Sequence, residues 1–393
     1  GTSTDVCLIR DGEPAKKSER QMGGFPVRTR TLDIHTIGAG GGSIAWIDAG
    51  GLLKVGPQSA GAYPGPAAYG RGGTKATVTD ANVVLGRLSP KSLLGGRMAM
   101  HPDKAHAAID ALAKSLRVDA VKAAAGVLEI INVNMMGAVR VISVEQGVDP
   151  RDFTLVAFGG AGPLHANAVA ELMGSFPVIV PPSPGLLCAI GDLVAEFRNE
   201  FARTIVTPMD DVKAEDVATV LDELAERTTE WMTSEGIDKA GQRLTYLADM
   251  RYVLQGYEIP VPVDIDAVKG GSIAAMGEQF DQMHEQLYGF MMDDARKEIV
   301  NLRCIGNGAV PKIKLPEGEI KKNDGSDAVI EEHQIVFKGE QVATKIYDRG
   351  KLTPGAKFDG PAIVTEFDST TVVLPGYTAE MDEYFNILIN PKA

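Results

Sequence analysis

From Pro102 onward the chain takes on helical periodicity. Residues 103–116 alternate charge with alanine, and then Ala120, Ala124, Val127, Leu128, Ile131, Met135, Ala138, Val139 and Ile142 recur at intervals of three and four. That spacing lines one face of an α-helix, so the second helix is expected to be long and mostly buried. Gly147 and Asp149-Pro150 supply its stop signal, and the apolar run 153–158 reads as a buried strand. A glycine turn follows. Pro163 sits where the first helical turn tolerates a residue without an N–H, residues 164–173 predict a short helix, and 177–180 return as a strand. The order strand, glycine turn, helix, strand is a unit of α/β type.

The flanks read differently. Residues 1 to about 100 are rich in glycine and short β-like runs, with dense punctuation from Gly38 to Gly73 that marks a loop system. Past residue 205 one amphipathic helix carries Val217, Val220, Leu221, Leu224, Trp231 and Met232 on its apolar face. Strand candidates then follow at 244–254, 257–263, 299–305, 334–337, 342–347 and 362–374, with a helix at 276–288 between them. This shift predicts two domains, an α/β domain over 1–204 and an α+β, strand-rich domain over 205–393.

Composition narrows the class. The chain has 393 residues, 44% hydrophobic and 23% charged, which is ordinary for a globular protein. The formal net charge of −13 argues against a nucleic-acid surface, which normally needs a basic stripe. No apolar run approaches the roughly 20 residues that span a bilayer and no charged-then-apolar leader opens the chain, so neither a membrane nor a nucleic acid is expected as partner, and a cytoplasmic location is. Cys7, Cys188 and Cys304 are far apart and lack metal-ligand spacing, which predicts buried reduced thiols rather than disulfides or zinc. The chain opens on Gly1 and runs straight into a strand, so a preceding segment is expected to have been removed or to sit on another chain.

Three glycine-rich motifs carry candidate chemistry. Gly1-Thr2-Ser3-Thr4-Asp5 combines a residue that lets backbone approach a phosphate, hydroxyls that donate to its oxygens, and a carboxylate able to hold magnesium; a plain β-turn is the competing reading. Gly38-Ala39-Gly40-Gly41-Gly42-Ser43 exposes consecutive N–H groups as an anion nest, or else lets one backbone cross another tightly. Phe158-Gly159-Gly160-Ala161-Gly162-Pro163-Leu164-His165-Ala166 lies at a strand-to-helix junction, where α/β folds bind ligands. His165 either poises a proton transfer or makes a structural hydrogen bond. Asp80, in Thr77-Val78-Thr79-Asp80-Ala81-Asn82, either orients a substrate or metal-bound water or caps a helix as its N-cap.

In this order the motifs resemble the hydantoinase A / 5-oxoprolinase family, which includes N-methylhydantoinases, oxoprolinases and the ATP-using subunits of acetone and acetophenone carboxylases. Further support comes from Val55-Gly56-Pro57-Gln58-Ser59-Ala60-Gly61-Ala62, Pro64-Gly65-Pro66, Tyr69-Gly70-Arg71-Gly72-Gly73-Thr74, Asp149-Pro150-Arg151-Asp152-Phe153 and Pro184-Gly185-Leu186-Leu187-Cys188-Ala189-Ile190-Gly191. It runs on more weakly to Gly360-Pro361-Ala362-Ile363. The resemblance implies the second lobe of an actin-like (ribonuclease H-like) ATPase fold, followed by a mainly β domain, with the N-terminal lobe and its own phosphate turn absent. Carried over by position, it puts Gly1, Thr2, Ser3 and Thr4 on the phosphates of ATP, Asp5 on magnesium, and Gly159, Gly160 and Ala161 on the adenosine side. Asp5, Asp80 and His165 become the catalytic candidates, and Gly40, Gly41 and Gly42 join the nucleotide set.

What the resemblance implies about reaction is ATP-dependent activation of a weakly reactive oxygen. A cyclic amide phosphorylated on oxygen can be opened by water; an enolised ketone phosphorylated on oxygen can meet activated carbonate. Such chemistry rests on positioning and charge neutralisation more than on a covalent residue. The reading is therefore a subunit of an ATP-dependent cyclic amide hydrolase, with a ketone carboxylase subunit as alternative and an inactive, partner-binding fragment as a third. The expected partners are the missing lobe and a hydantoinase B-type subunit.

Overall fold

The computed structural model describes residues 1–17, 20–22, 24–27, 31–292, 294–309 and 314–392. The chain divides into two compact units, Gly1–Ile190 together with Leu315–Ala393, and Gly191–Lys314 inserted between them. This differs from the division expected at 204/205. The cause is a long-range pairing that no local window carries: Ile387–Pro391 lies antiparallel against Val178–Val180, so the last strands complete a sheet begun in the first half of the chain.

In the first unit, Leu155–Val156 and Val178–Val180 pair in parallel. The sheet continues antiparallel through Ile387–Pro391, Tyr377–Met381 and Lys357–Asp359. Among the described residues four helices lie wholly in this unit: α1 (Val78–Val84), α2 (Pro102–Leu116), α3 (Ala120–Ile142) and α4 (Gly162–Met173). The last of them is the crossover of the predicted α/β unit, and it ends on Gly174, whose φ of 73° closes the helix in the left-handed region.

α3 is the spine of the unit. Asp119 caps it by accepting from the Lys122 N–H at 2.8 Å. It buries Ala124, Val127, Leu128, Ile131, Met135 and Ala138 and packs against the other three helices and the strands Thr4–Cys7, Ile34–Ile37 and Leu53–Ser59. Each large side chain so buried stabilises the fold by roughly 1.5–3 kcal/mol. Extended to Gln146, this helix has a mean hydropathy of 1.5 and is long and apolar enough, by length and composition, to cross a bilayer. No run of that kind was expected from the sequence. Here its apolar face is packed into the core.

A second sheet of the same unit orders Val329–Phe337, Glu340–Asp348, Ala362–Thr365 and Thr370–Val373. The run 362–374, which reads as one strand, is two, because the Glu366 N–H donates to Ser369 O at 3.1 Å and turns the chain.

The inserted unit holds an antiparallel sheet of Phe197–Pro208, Lys297–Gly308, Gln242–Tyr252 and Ile259–Pro262. Ala214–Ser234 and Ala274–Tyr288 pack with it around Leu221, Leu224, Tyr252, Phe280, Ile299 and Leu302. The expected amphipathic helix and the candidates at 244–254, 257–263, 276–288 and 299–305 all fall here. Of the three free cysteines only Cys304 is buried; Cys7 and Cys188 are exposed, against the expectation of three buried thiols.

Candidate functional site

Thr4–Cys7 pairs antiparallel with Ile34–Ile37, Thr4 facing Ile37. That register brings the residues before Thr4 alongside the glycines that follow Ile37. The Gly42 N–H donates to Gly1 O at 2.9 Å, and Thr4 Oγ1 donates to Ala39 O at 2.7 Å. A Cβ at position 40 would stand 2.7 Å from Gly1 O, so the crossing requires glycine there. The Gly41 carbonyl takes the Thr79 N–H at 2.8 Å and Thr79 Oγ1 at 2.9 Å, which ties the start of α1 to the same turn. Gly1, Thr2, Ser3 and Asp5 are exposed at this junction. Asp5 is held in place there: its Oδ1 accepts from Thr36 Oγ1 at 2.6 Å and its Oδ2 from Ser3 Oγ at 3.3 Å.

Two expectations are corrected at this junction. The anion nest sought in Gly40, Gly41 and Gly42 is a tight, buried crossing. The Gly40 N–H donates to Ser43 Oγ, the Gly42 N–H to Gly1 O, and the Ser43 N–H back to Gly40 O, so the amides of Gly40 and Gly42 are used inside the turn. Asp80 is neither an N-cap nor an orienting carboxylate. Thr77 is the N-cap of α1, and Asp80 completes a capping box from the third helical position. Its Oδ2 accepts from the Thr77 N–H at 3.0 Å, Thr77 Oγ1 at 2.7 Å and the Ala67 N–H at 3.3 Å, and its Oδ1 from the Ala68 N–H at 2.8 Å. Burial raises this carboxyl's pKa above its ordinary value, and the four bonds offset that only in part. With 0% of its surface exposed, it braces the loop 61–73 against α1.

The second group of candidates lies where the parallel strands end. Gly159 has a φ of 84°, and its N–H donates to Pro184 O at 2.7 Å. Ser369 Oγ donates to Gly160 O at 3.3 Å. A Cβ at Gly185 would meet Asp368 Oδ2 at 2.8 Å, and that oxygen is buried without a hydrogen-bond partner. Beneath the turns, Arg349 is 7% exposed. It donates from Nη1 to Glu366 Oε1 at 2.7 Å, and from Nη2 to Val180 O at 2.8 Å and Phe385 O at 3.1 Å. Glu366 Oε2 accepts the Ser183 N–H at 3.2 Å. Arg349, Glu366 and Asp368 were not sequence candidates. Two carboxylates interrupting the apolar run 362–374 were the available signal.

His165 lies on α4 behind the Gly159–Gly160 turn and is 3% exposed. Its Nδ1 is 2.8 Å from Asn132 Oδ1 on α3, so Nδ1–H donates and Nε2, buried and without a partner, is left as an acceptor. Burial, reinforced by the Arg87 guanidinium, lowers its pKa to about 4. The residue is therefore neutral near pH 7 and fastens α4 to α3; of the two readings, the structural hydrogen bond is the one the geometry favours over proton transfer. Since the folded pKa lies below the unfolded value of about 6.5, this histidine's stability contribution is complete above pH 6.5 and is lost as pH falls toward 4. Urea unfolding at pH 8 and pH 5 should show a loss of about 2 kcal/mol from this source, absent in His165→Gln. Equal pH slopes in the two proteins would show that the ring protonates freely.

Among the described residues no group of three or more His, Cys, Asp or Glu side chains is placed to hold a metal ion. Any divalent ion at the first turn would depend on Asp5 together with oxygens from a ligand and water, a donor set that suits magnesium.

Comparison with known proteins places these turns in context. A hydantoinase/oxoprolinase family model matches residues 1–201, and a model of the hydantoinase/oxoprolinase C-terminal domain matches 209–389. An uncharacterised protein of Methanocaldococcus jannaschii is 37% identical over 98% of this chain. The caprolactamase subunit alpha of Pseudomonas jessenii is 32% identical over 97%. The chain spans 56% of the length of each of these two relatives. A nucleotide-free structure of an ATP-dependent acetone carboxylase superposes over the whole chain with a TM-score of 0.90 at 24% identity, covering 57% of that protein, and so shares the mixed α/β fold.

Proposed function

The chain belongs to the hydantoinase/oxoprolinase family, and we propose that it forms part of an ATP-dependent amidohydrolase that activates a cyclic amide oxygen by phosphorylation before ring opening. In this reading the first unit contributes the second lobe of an actin-like ATPase fold. The observation that carries it is the junction at Gly1–Asp5. Bare backbone and the hydroxyls of Thr2 and Ser3 lie exposed beside one carboxylate that Thr36 and Ser3 hold in place.

Those residues fit a magnesium-bound triphosphate. Glycine at 40 lets a second backbone pass close beneath the turn, and Asp5 is left outward-facing as a single anionic ligand. ATP supplies the phosphoryl group when bound, and magnesium neutralises its charge. Gly1 to Thr4 would hold the phosphates, Asp5 the magnesium directly or through water, and Gly159 to Ala161 the adenosine side. A hydantoinase B-type subunit is the proposed partner, and the remaining length of the family supplies the other lobe. The caprolactamase subunit among the relatives supports the amide reading, and a ketone carboxylase subunit of nearly equal identity keeps the alternative in the test.

The test is phosphate release from ATP by the complex purified with this chain, comparing cyclic amides with ketones plus bicarbonate. Stimulation by an amide alone supports the hydrolase; stimulation only by a ketone with bicarbonate supports a carboxylase subunit, and silence with both favours a partner-binding fragment or a substrate outside both classes. Asp5→Asn is expected to lower stimulated turnover about 100-fold or more with an unchanged melting temperature, because the side chain is exposed. Wild-type turnover in that variant would remove Asp5 from the site.

A further inference from the structure

The loop 61–73 leaves from the junction at Gly1–Asp5 and returns to it. On the way out the Ala60 N–H donates to Gly42 O at 2.8 Å and the Gly61 N–H to Ser59 Oγ at 3.1 Å. On the way back the Ala45 N–H donates to Ala76 O at 2.9 Å, and Thr79 is bonded twice to Gly41 O. Gly41 and Gly42 are the residues that lie against Gly1, so both ends of the loop are fastened to the same turn. Between its ends the loop has no helix or strand beyond the single turn Ala67–Tyr69, yet it is held at several points. Asp80 takes the N–H groups of Ala67 and Ala68, the His101 N–H donates to Ala68 O at 2.8 Å, and a Cβ at Gly73 would run into Gly65 O. Long connections fixed this firmly on a scaffold are where binding and catalytic side chains are placed.

The side chain so placed is Arg71. It is exposed, no carboxylate among the described residues pairs with it, and its hydrogen bond from Nη1 to Ala62 O is long at 3.5 Å. Ala62 is two residues from Ala60, a span of at most about 7 Å, and Ala60 is bonded to Gly42. The Arg71 charge also acts at the Tyr69 hydroxyl: burial raises the pKa of that group, while Thr79 beside it and the Arg71 guanidinium lower it. The guanidinium is therefore free to bind and stands close to the turn. The turn lacks such a group of its own. Residues 1–9, 34–47 and 55–70 contain no lysine or arginine, and Asp5 adds a negative charge where a triphosphate would bring more.

We propose that Arg71 is the cation that meets the transferred phosphoryl group of ATP; the inference rests on the function proposed above. During transfer the bond from the bridging oxygen to the γ-phosphorus breaks, its electron pair stays on ADP, and the acceptor oxygen bonds to that phosphorus. Arg71 offers two parallel N–H donors to the oxygens over which the charge is spread at that moment, a match that the planar guanidinium makes and an ammonium does not. Lys75, four residues on, is exposed as well and serves as the control for positive charge alone.

The experiment uses the complex purified with this chain, as wild type, Arg71→Ala, Arg71→Lys and Lys75→Ala. Calorimetry follows the binding of magnesium ADP alone and with fluoroaluminate, which mimics the phosphoryl group in transfer, and phosphate release follows turnover. Arg71→Ala should bind ADP within about twofold of wild type, bind ADP with fluoroaluminate at least about tenfold more weakly, and lose about 100-fold or more in kcat. Its melting temperature should not change, because the side chain is exposed. Free guanidinium should restore part of its turnover, Arg71→Lys should fall between, and Lys75→Ala should match wild type. Wild-type fluoroaluminate affinity and turnover in Arg71→Ala overturn the proposal. So does an equal loss of ADP affinity or an earlier melt, which would make Arg71 a support of the loop, and so does an equal deficit in Lys75→Ala. A wild-type complex that binds no nucleotide overturns the proposed function and this inference with it, whereas ATP turnover indifferent to Arg71 overturns the inference alone.

Discussion

Asp80→Ala is expected to destabilise the first unit by about 4 kcal/mol or more, a large part of the roughly 5–15 kcal/mol that holds a typical domain together. The carboxylate takes four donors, three on Oδ2 and one on Oδ1, and none of its surface reaches water. Alanine leaves all four donors buried, and each unmet donor costs about 1–3 kcal/mol, partly offset as the loop relaxes. Loss of the capping box adds about 1 kcal/mol. Asparagine tests the assignment more sharply. Its oxygen can serve the three donors at the Oδ2 position, but its NH₂ then points at the Ala68 N–H, 2.8 Å from the present Oδ1. An intermediate loss of about 2–3 kcal/mol follows. Urea unfolding of both variants decides it: a loss under about 1 kcal/mol in Asp80→Ala would mean that water reaches those donors, and would reopen a role for Asp80 toward a ligand.

Much of this architecture could be read in the chain. The three-and-four spacing from Ala120 to Ile142 predicted α3 because helix periodicity is a local property, and Gly159–Pro163 announced the turn into α4 for the same reason. The phosphate-turn candidates Gly1–Asp5 and the glycines after Ile37 were read as two separate features. Only the antiparallel register of Thr4–Cys7 on Ile34–Ile37 shows that the second supports the first. Asp80 was found but misassigned, since a carboxylate three residues after a threonine can be the far half of a capping box as readily as an N-cap. The expected break at 204/205 falls between the two family models, 1–201 and 209–389; what no local window carries is the return of Leu315–Ala393 to the first unit. Its determinant is the pairing of Val178–Val180 with Ile387–Pro391, two apolar segments that look like any other pair of strands until they are brought together. Arg349 and Glu366 went unnoticed with them, because a charged residue within a strand-rich run reads as surface unless its burial is known.

That pair gives the second large effect. Arg349→Met is expected to destabilise the first unit by about 3–5 kcal/mol, because it leaves Glu366 as an uncompensated buried acid. The side chains of Arg349 and Glu366 are only 6% and 10% exposed. Burial already pushes the Glu366 carboxyl up, and the adjacent Arg349 guanidinium is what draws it down. Without the arginine the folded-state pKa rises further above the unfolded value, so protonation restores stability at low pH and ionisation removes it as pH rises through the folded pKa. The deficit of Arg349→Met relative to wild type should accordingly be smaller at pH 4.5 than at pH 8. Arg349→Met/Glu366→Met should recover only the part of the loss due to the unpaired Glu366, because Val180 O, Phe385 O and the Ser183 N–H stay unmet. A deficit independent of pH would instead assign it to the bonds from Nη2 to Val180 O and Phe385 O. The same variants separate support from chemistry. Glu366 holds the Ser183 N–H, and Pro184 O holds the Gly159 N–H, so under the proposed function, which puts adenosine at this turn, loosening the pair should raise the KM for ATP. Asp5→Asn should act mainly on kcat, and equal KM effects in the two variants would mean that the Gly159 turn takes no part in nucleotide binding.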